Sequence, residues 1–363
     1  MADELGELRA VAREVARDAG AGWKQWAELG WLGLLVAEER GGAGADENVA
    51  AVVARELGAA ARREPFVAAG VLTTALLAAL PRTDAVDELL DSVLGGEVLA
   101  VAAWQPESGE LPSQNGAHDL HAFHADRVPL SVTFSEQSGL TGNAHWVATA
   151  DADAWLVAAA TPTGGTALVR VGRDADSLTV HPVKLADGTT QARLELKGAR
   201  GTVLAHNAGP ALAAAIDTAA LITAAELLGG IDTMLALTRD YLGARKQFGR
   251  PIGTFQVLQH RAVDMWVQQQ LAEAALDGAL RRVTVDSTDP DIELEIRAIA
   301  ASSAKSRASS AALKVSNDAV QLHGAIGFTD EYELGAFVNR AFVLAASLGN
   351  SRAHVRRHGR LVA

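Results

Sequence analysis

Two long regions of helical periodicity flank a central region of short alternating runs. In residues 3–92 apolar positions recur every three or four residues, as in VAAVVARELGAAARR, which predicts helices joined by short breaks. Residues 98–204 divide into runs such as VLAVAAW and QARLELKG, separated by Gly, Asn, Asp and Pro, which indicates an antiparallel β unit. Because helical patterns return from residue 207, we expect an α+β protein with a β insert between two helical units.

The length of the chain supports a division into several packed units. A chain of 363 residues is longer than a single hydrophobic core usually serves. We therefore predict an N-terminal α-helical domain over 1–97, a middle β domain over 98–206 and a C-terminal helical domain over 207–363. In the last of these, the periodicity predicts helices over 210–243, 252–284, 291–320, 331–346 and 350–361.

Charge and composition exclude several classes of protein. The formal net charge of −12 argues against general nucleic-acid binding, and the absence of cysteine excludes disulfides and thiolate chemistry. The histidines show no metal-ligand spacing, so we expect no metal site. No apolar run reaches the roughly 18 residues of a membrane span, and the N-terminus does not have the pattern of a signal peptide. We therefore expect a cytoplasmic protein without a membrane span.

Two motifs resemble the acyl-CoA dehydrogenase family. The segment YLGARKQFGRPIGTFQVLQHRAVDM (241–265) is similar to the family signature R-x-x-F-G-x-P-I followed by F-Q, and AVQLHGAIGFTDEYEL (319–334) is similar to Q-x-H-G-G-x-G-[FY]-T. The resemblance extends over nearly the whole chain. It implies the acyl-CoA dehydrogenase fold, with an N-terminal helical domain, a middle antiparallel β-barrel or sandwich and a C-terminal four-helix bundle. It also implies an FAD-dependent oxidoreductase that acts on CH–CH bonds.

The first motif supplies groups that suit a dinucleotide. We expect Gly249 and Pro251 to separate two helices, with Arg245 and Phe248 at the last turn of the first and Gln256 at the start of the second. A guanidinium offers a rigid fork for phosphate oxygens, and a phenyl ring offers a flat surface for adenine. In the family this group reaches across a subunit interface to the FAD pyrophosphate and adenine, so the resemblance implies these roles here.

Further contacts with FAD follow from the resemblance. The loop from Gln321 to Gly324 meets the same ADP half of the cofactor in the family, although Ala325 stands where a second glycine is common. The segment AAWQPESGELP corresponds to the ring-facing loop in a degraded form. Thr149, in WVATADAD, is a candidate contact for the flavin ring through its hydroxyl or its backbone N–H.

The catalytic base of the family is missing from both of its usual positions. An acyl-CoA dehydrogenase needs a carboxylate within about 3 Å of the substrate α-proton. Counting from the second motif places the first position at Leu348, and counting back along the helix before the first motif places the other at Ala219. Neither side chain accepts a proton. Glu226, seven residues after Ala219, is the best substitute, although a buried glutamate with a polar partner is the alternative interpretation.

This pattern resembles one subunit of the heteromeric α2β2 acyl-CoA dehydrogenases that act on steroid side-chain CoA thioesters. In those enzymes a base-less chain completes the FAD site of its partner. The resemblance thus implies an acyl-CoA thioester substrate, a second acyl-CoA-dehydrogenase-like subunit, a role in lipid or steroid degradation and an electron-transfer flavoprotein as acceptor. Two alternatives stay open: a homo-oligomeric dehydrogenase that uses Glu226, and a flavin-dependent monooxygenase, which needs no carboxylate at the base position.

Overall fold

The N-terminal region is helical in the computed structural model, which describes residues 2–112, 128–284, 290–329 and 332–362. A π-helical stretch, Phe66–Thr73, precedes the fourth helix, and short 3-10 turns lie at Trp31–Gly33 and Glu38–Arg40. The helices are α1 (Ala2–Arg17), α2 (Trp23–Glu28), α3 (Glu47–Ala59), α4 (Thr74–Ala79) and α5 (Asp84–Leu94).

The middle region forms one mostly antiparallel sheet, as predicted. Its strands are β1 (Ala100–Ala103), β2 (Val132–Ser135), β3 (Gly139–Val147), β4 (Ala154–Ala160), β5 (Thr166–Gly172), β6 (Leu178–Lys184), β7 (Thr190–Ala199) and β8 (Thr202–Ala205). The strand order is β6-β7-β3-β2-β4-β5-β8, with β1 beside β4. β1 and β2 run parallel to β4, whereas β2 and β3 form an antiparallel hairpin.

In its described residues, the C-terminal region contains three long helices and two shorter ones. The helices are α6 (Gly209–Ala244), α7 (Gln256–Val283), α8 (Pro290–His323), α9 (Leu334–Ala346) and α10 (Ser351–Leu361). α6, α7 and α8 pack side by side, and α9 and α10 pack on α8. The helical C-terminal domain is thus confirmed, and the proposed domain boundaries fall in the connections between α5 and β1 and between β8 and α6.

The break between α6 and α7 differs from the expectation in one respect. Arg245 directly follows α6, but Phe248 does not lie on its last turn. Instead, β9 (Lys246–Gln247) and β10 (Arg250–Pro251) pair as a two-stranded ribbon with Phe248 and Gly249 at its tip. Both tip residues have positive φ angles, 52° and 81°, which the sequence pattern of a simple helix break did not reveal.

α6 is the central helix of the core. By length and composition alone, this helix could span a membrane. However, 89% of its apolar 18-residue segment is buried inside the protein. Its contact with α3 is very close, because a Cβ atom added at Gly58 would lie 1.9 Å from the carbonyl oxygen of Glu226. A Cβ atom at Gly229 would lie 1.9 Å from the carbonyl oxygen of Arg55. Only glycine permits this approach of the two backbones.

Candidate functional site

A cavity of about 620 Å³ lies where the three regions meet. The π-helical stretch and the residues just before it form one wall, the sheet forms a second, and α6 with the connection from α9 to α10 forms a third. The apolar part of the lining comes mainly from Phe66, Val67, Leu72, Trp104, Val343, Leu344 and Leu348. A mostly apolar cleft with a few polar groups at a domain junction is the usual form of a small-molecule site.

Leu348, one of the two expected base positions, lies on the wall of this cavity. Its backbone is left-handed, with φ of 51°, and Gly349 follows with φ of 93°. A left-handed leucine is unfavourable by roughly 1–2 kcal/mol, so the surrounding structure must hold this turn in place. At this position the cavity therefore presents an aliphatic side chain on a constrained turn, and no proton acceptor.

A buried polar network holds the turn at Leu348. The Nζ atom of Lys305 donates to the carbonyl oxygens of Gly349, at 3.1 Å, and Ala345, at 3.4 Å. His354 Nε2 donates to the carbonyl oxygen of Leu348 at 2.9 Å. Burial, helped by the cationic neighbours, lowers the pKa of His354 well below its ordinary value, so the ring is neutral. The carbonyl oxygen of Ala345 on α9 and those of Leu348 and Gly349 in the following turn thus accept hydrogen bonds from buried side chains.

The same network includes an ion pair that reaches the sheet connection. The guanidinium of Arg357 binds both carboxylate oxygens of Asp217, and its Nε donates to the carbonyl oxygen of Pro112 at 2.5 Å. All of these side chains are buried. The sequence analysis did not identify this cluster. A signal was present at Lys305, which stands alone among Ala and Ser residues on a helical face, as in ASSAKSRASSAA.

The second expected base position is also without a carboxylate. Ala219 is fully buried on α6 and does not reach the cavity lining. Its nearest acidic neighbour in sequence, Asp217, is occupied by Arg357. Neither Leu348 nor Ala219 therefore offers a group that could abstract a proton from a substrate.

Glu226 lies on the cavity wall, but it is held in an ion pair. Oε1 of Glu226 accepts from Nη2 and Nε of Arg340 at 2.6 and 3.1 Å, and Nη1 of Arg340 donates to Asp187 at 3.0 Å. Burial raises the pKa of Glu226, and the Arg340 guanidinium opposes that rise. The predicted polar partner of a buried glutamate is thus present. It is an arginine that joins α6, α9 and the turn between β6 and β7.

The sheet side of the cavity carries the residues predicted to face a flavin ring. Thr149 lies on the lining, where its hydroxyl accepts the backbone N–H of Asp151 at 3.0 Å. Gln105 forms an isolated bridge with His145 of β3, which fixes the loop after β1 against the sheet. Trp146 is half exposed and lies on the rim of the cavity. The structure therefore brings Thr149, Glu226 and Leu348 together around one space.

The residues of the first motif that are predicted to contact the ADP half of FAD lie away from that cavity. Arg245 is exposed and has no ion-pair partner in the described part of the chain. The ring of Phe248, at the tip of the ribbon, is 90% exposed and contacts Phe255 edge-on with centroids 6.1 Å apart. Gln256 is exposed at the first turn of α7. The guanidinium group and the aromatic ring of this connection are thus both exposed, and they are groups that suit phosphate oxygens and an adenine ring.

The second motif forms the end of α8 and a tight turn. Gln321 is exposed on the last turn of α8, and Gly324 begins a 3-10 segment, Gly324–Phe328, with φ of 67°. Ala325 is exposed, so its methyl group does not crowd the interior of this chain. Neither Gln321 nor Gly324 lines the cavity. Among the described residues no cluster of His, Asp or Glu is arranged to hold a metal ion.

Comparison with known sequences agrees with these motifs. Residues 207–362 match the family profile described as "Acyl-CoA dehydrogenase, C-terminal domain", and residues 2–93 match "Acyl-CoA dehydrogenase, N-terminal domain". Acyl-CoA dehydrogenase IpdE2 of Mycolicibacterium smegmatis is 30% identical over 330 residues, which cover 91% of this chain and 84% of that protein. Acyl-CoA dehydrogenase FadE27 of Mycobacterium tuberculosis is 26% identical over 94% of this chain and 87% of its own length.

Solved structures share the fold over the full length. A variant of the Tcur3481-Tcur3483 steroid ACAD superposes with a TM-score of 0.79 at 26% identity, covering 99% of this chain and 98% of that one. A chain of the ChsE4-ChsE5 complex from Mycobacterium tuberculosis has a TM-score of 0.80 at 22% identity and covers 99% of this chain and 96% of its own. The chain therefore belongs to the acyl-CoA dehydrogenase family, and this membership supports an FAD-dependent oxidoreductase that acts on CH–CH bonds.

Proposed function

We propose that this chain is the base-less subunit of a heteromeric acyl-CoA dehydrogenase and that it completes the FAD site of a partner subunit. The reaction, α,β-dehydrogenation of an acyl-CoA thioester, needs a carboxylate for the α-proton, and bound FAD supplies the acceptor for the β-hydride. In this proposal the partner supplies the carboxylate. This chain supplies the groups that hold the ADP half of the cofactor.

The observation that carries the proposal is the aliphatic side chain of Leu348 on the cavity wall. Lys305 and His354 hold the turn at Leu348 in an unfavourable left-handed conformation. The side chain of Leu348 nevertheless has no acid–base chemistry. Ala219, buried on α6, offers no replacement. A subunit that keeps the scaffold of the site without its base is the simplest account of these features.

The orientation of the cofactor residues supports a shared site. Arg245 and Phe248 point into solvent and do not line the cavity of their own chain, so a cofactor that they hold must lie largely against another chain. The adjoining helix α7 also exposes an apolar face of the kind that subunit interfaces bury. That face is formed by Val263, Trp266, Val267 and Leu271. Relatives described as a complex, ChsE4-ChsE5, support an assembly of two unlike chains.

A second candidate function rests on Glu226. Glu226 lines the cavity, and burial raises the pKa of its carboxyl group, which is the direction of change that favours a general base. In this alternative the chain is a self-sufficient homo-oligomeric dehydrogenase. The ion pair with Arg340 argues against it, because a carboxylate that accepts two guanidinium N–H groups is a weaker proton acceptor.

The first experiment compares the chain alone with the chain co-expressed with a second acyl-CoA-dehydrogenase-like chain that carries a glutamate at either base position. We expect the co-expressed assembly to hold FAD and to oxidise an acyl-CoA, and the chain alone to do neither. A full complement of FAD with acyl-CoA turnover by the chain alone would overturn the proposal. Oxygen consumption with an external flavin reductase would instead identify a monooxygenase.

The second experiment separates the two candidate bases. In the assembly, Glu226→Gln is expected to leave acyl-CoA-dependent reduction of FAD in place, whereas removal of the partner's glutamate abolishes it. Glu107→Gln is the matched control, since Glu107 is an exposed carboxylate on the same cavity lining. Loss of FAD reduction in Glu226→Gln alone, with normal folding, would favour the self-sufficient enzyme. Reoxidation by an electron-transfer flavoprotein is part of the proposal and is measured in the same assay.

A further inference from the structure

Both tyrosines of the chain lie against His323. The chain contains two Tyr residues, Tyr241 near the end of α6 and Tyr332 beyond the 3-10 segment. The rings of Tyr241 and His323 stack with centroids 4.5 Å apart and planes inclined by 26°. Tyr332 lies 5.1 Å from His323 and 6.5 Å from Tyr241, measured between centroids. We call these three residues the aromatic stack.

Hydrogen bonds fix the orientation of the central ring. Nδ1 of His323 lies 2.8 Å from the carbonyl oxygen of Ala319, and since a carbonyl only accepts, Nδ1 carries the proton. In the neutral ring, Nε2 then accepts the hydroxyl of Tyr332 at 3.2 Å. Burial lowers the pKa of His323, which favours this neutral form. The imidazole of His323 is thus fixed by hydrogen bonds at both nitrogens and by the stacked ring of Tyr241 on one face.

The stack joins the two segments that carry the cofactor residues. The carbonyl oxygen of Tyr241 accepts the backbone N–H of Arg245 at 2.9 Å, so the stacked residue fixes the backbone from which that arginine projects. On the other side, His323 directly precedes Gly324. Gly327 packs so closely that an added Cβ would lie 3.1 Å from Cβ of His323. The end of α6 and the end of α8 are therefore held together through aromatic rings.

We propose that the aromatic stack fixes the position of Arg245 relative to the Gln321–Gly324 turn, so that both can contact the same FAD molecule. The inference rests on the proposed function, in which these two segments meet the ADP half of FAD. The side chain of Arg245 is exposed and makes no ion pair with the described residues, so the direction in which it projects depends on its backbone. None of the three stacked rings lines the central cavity, which separates their role from that of the acyl site.

The test measures the FAD dissociation constant of the purified, FAD-loaded assembly. The variants are Tyr241→Leu, which removes the stacked ring, Tyr332→Phe, which removes one hydroxyl, and Arg245→Gln, which removes the direct contact. We expect Tyr241→Leu to weaken FAD binding by about three- to thirtyfold, the range for residues that act without touching the ligand. Tyr332→Phe should weaken it by about two- to tenfold, as expected for one hydrogen bond.

A double-mutant cycle distinguishes positioning from a general loss of stability. If the stack acts through Arg245, Tyr241→Leu has a much smaller effect on FAD binding in the Arg245→Gln background than in the parent chain. A purely structural role would give the same fold-change in both backgrounds. Additive effects would therefore overturn the inference. If Tyr241→Leu does not fold, the same cycle is run with Tyr332→Phe, which preserves the ring.

The outcomes also separate this inference from the proposed function. Weakened FAD binding in Arg245→Gln with unchanged binding in both tyrosine variants overturns the positioning role and leaves the proposed function standing. Unchanged FAD binding in all three variants overturns both. Non-additive weakening, with the parent melting temperature and assembly retained in Tyr332→Phe, supports both.

Discussion

The ammonium group of Lys305 lies 3.1 Å from the carbonyl oxygen of Gly349, in a place where no carboxylate faces it within the described residues. Its other acceptors are the carbonyl oxygen of Ala345 and the hydroxyl of Ser309, and the side chain is fully buried. Burial lowers the pKa of Lys305 from 10.5 to about 7. The turn that bears Leu348 therefore depends on a lysine whose charge is disfavoured by folding.

This lysine predicts a particular pH dependence of stability. Since the folded pKa is lower than the unfolded one, the unfolded state binds more protons between about pH 7 and 10.5, and the free energy of unfolding rises with pH in that window. Between pH 7 and 9 the parent should gain up to about 2–3 kcal/mol relative to Lys305→Met. Urea unfolding at both pH values measures the difference. Parallel pH profiles for parent and variant would contradict the expectation.

The ion pair of Glu226 with Arg340 predicts a large loss of stability on removal of the cation. Arg340→Met leaves the buried carboxylates of Glu226 and Asp187 without their shared partner, which should lower the free energy of unfolding by about 3–5 kcal/mol at pH 7. The matched control is Arg239→Met, which breaks an exposed pair with Asp240 and should change stability by less than about 0.5 kcal/mol. Urea unfolding measures both losses. Equal losses in the two variants would show that the buried ion pair stabilises the protein no more than the exposed one.

The contact between α3 and α6 predicts that one glycine cannot be replaced. A Cβ atom at Gly58 would overlap the backbone of Glu226, so Gly58→Ala must displace a helix and should destabilise the protein by more than about 3 kcal/mol. Gly6→Ala is the control, because nothing lies within 4 Å of its Cβ position on α1. There alanine should leave the melting temperature unchanged or raise it slightly. A tolerated Gly58→Ala would place the two helices further apart than the structure does.

The exposed ring of Phe248 predicts a change in cofactor binding without a change in stability. Phe248→Ala removes a side chain that is 90% exposed, so the melting temperature of the chain should stay the same. If the ring covers adenine, FAD binding by the assembly should fall by about five- to hundredfold, as for stacked bases elsewhere. Val183→Ala, an exposed apolar residue of β6, is the control. Equal FAD affinity in both variants would remove Phe248 from the cofactor site.

The order of helices and strands was accessible from the sequence because each region has a long, unmixed period. The alanine-rich helices α6 and α8 and the alternating strand β7 are clear examples, and their observed bounds lie within a few residues of the expected ones. The ribbon at 246–251 was not accessible. Its turn depends on a left-handed Phe248, a conformation that no local rule assigns to phenylalanine.

The candidate site was only partly accessible. Motif spacing identified Leu348 and, by way of Ala219, Glu226 as candidate positions, and the structure places Leu348 and Glu226 on the wall of one cavity. The partners that decide their behaviour are far away in sequence: Arg340 is 114 residues from Glu226, and Lys305 is 44 residues from Gly349. Such pairings arise from the packing of α6, α8 and α9, and a single sequence does not reveal them.

The outward direction of the ribbon has a thermodynamic consequence. Arg245 and Phe248 project away from their own chain, and under the proposed function they bind an FAD that lies largely against a partner chain. FAD binding and subunit association are then linked, and each strengthens the other by the same factor. Dilution of the assembly should then release flavin, and added flavin should hold dilute subunits together. Cofactor content becomes a function of protein concentration, which makes the flavin itself a reporter of whether two chains have met.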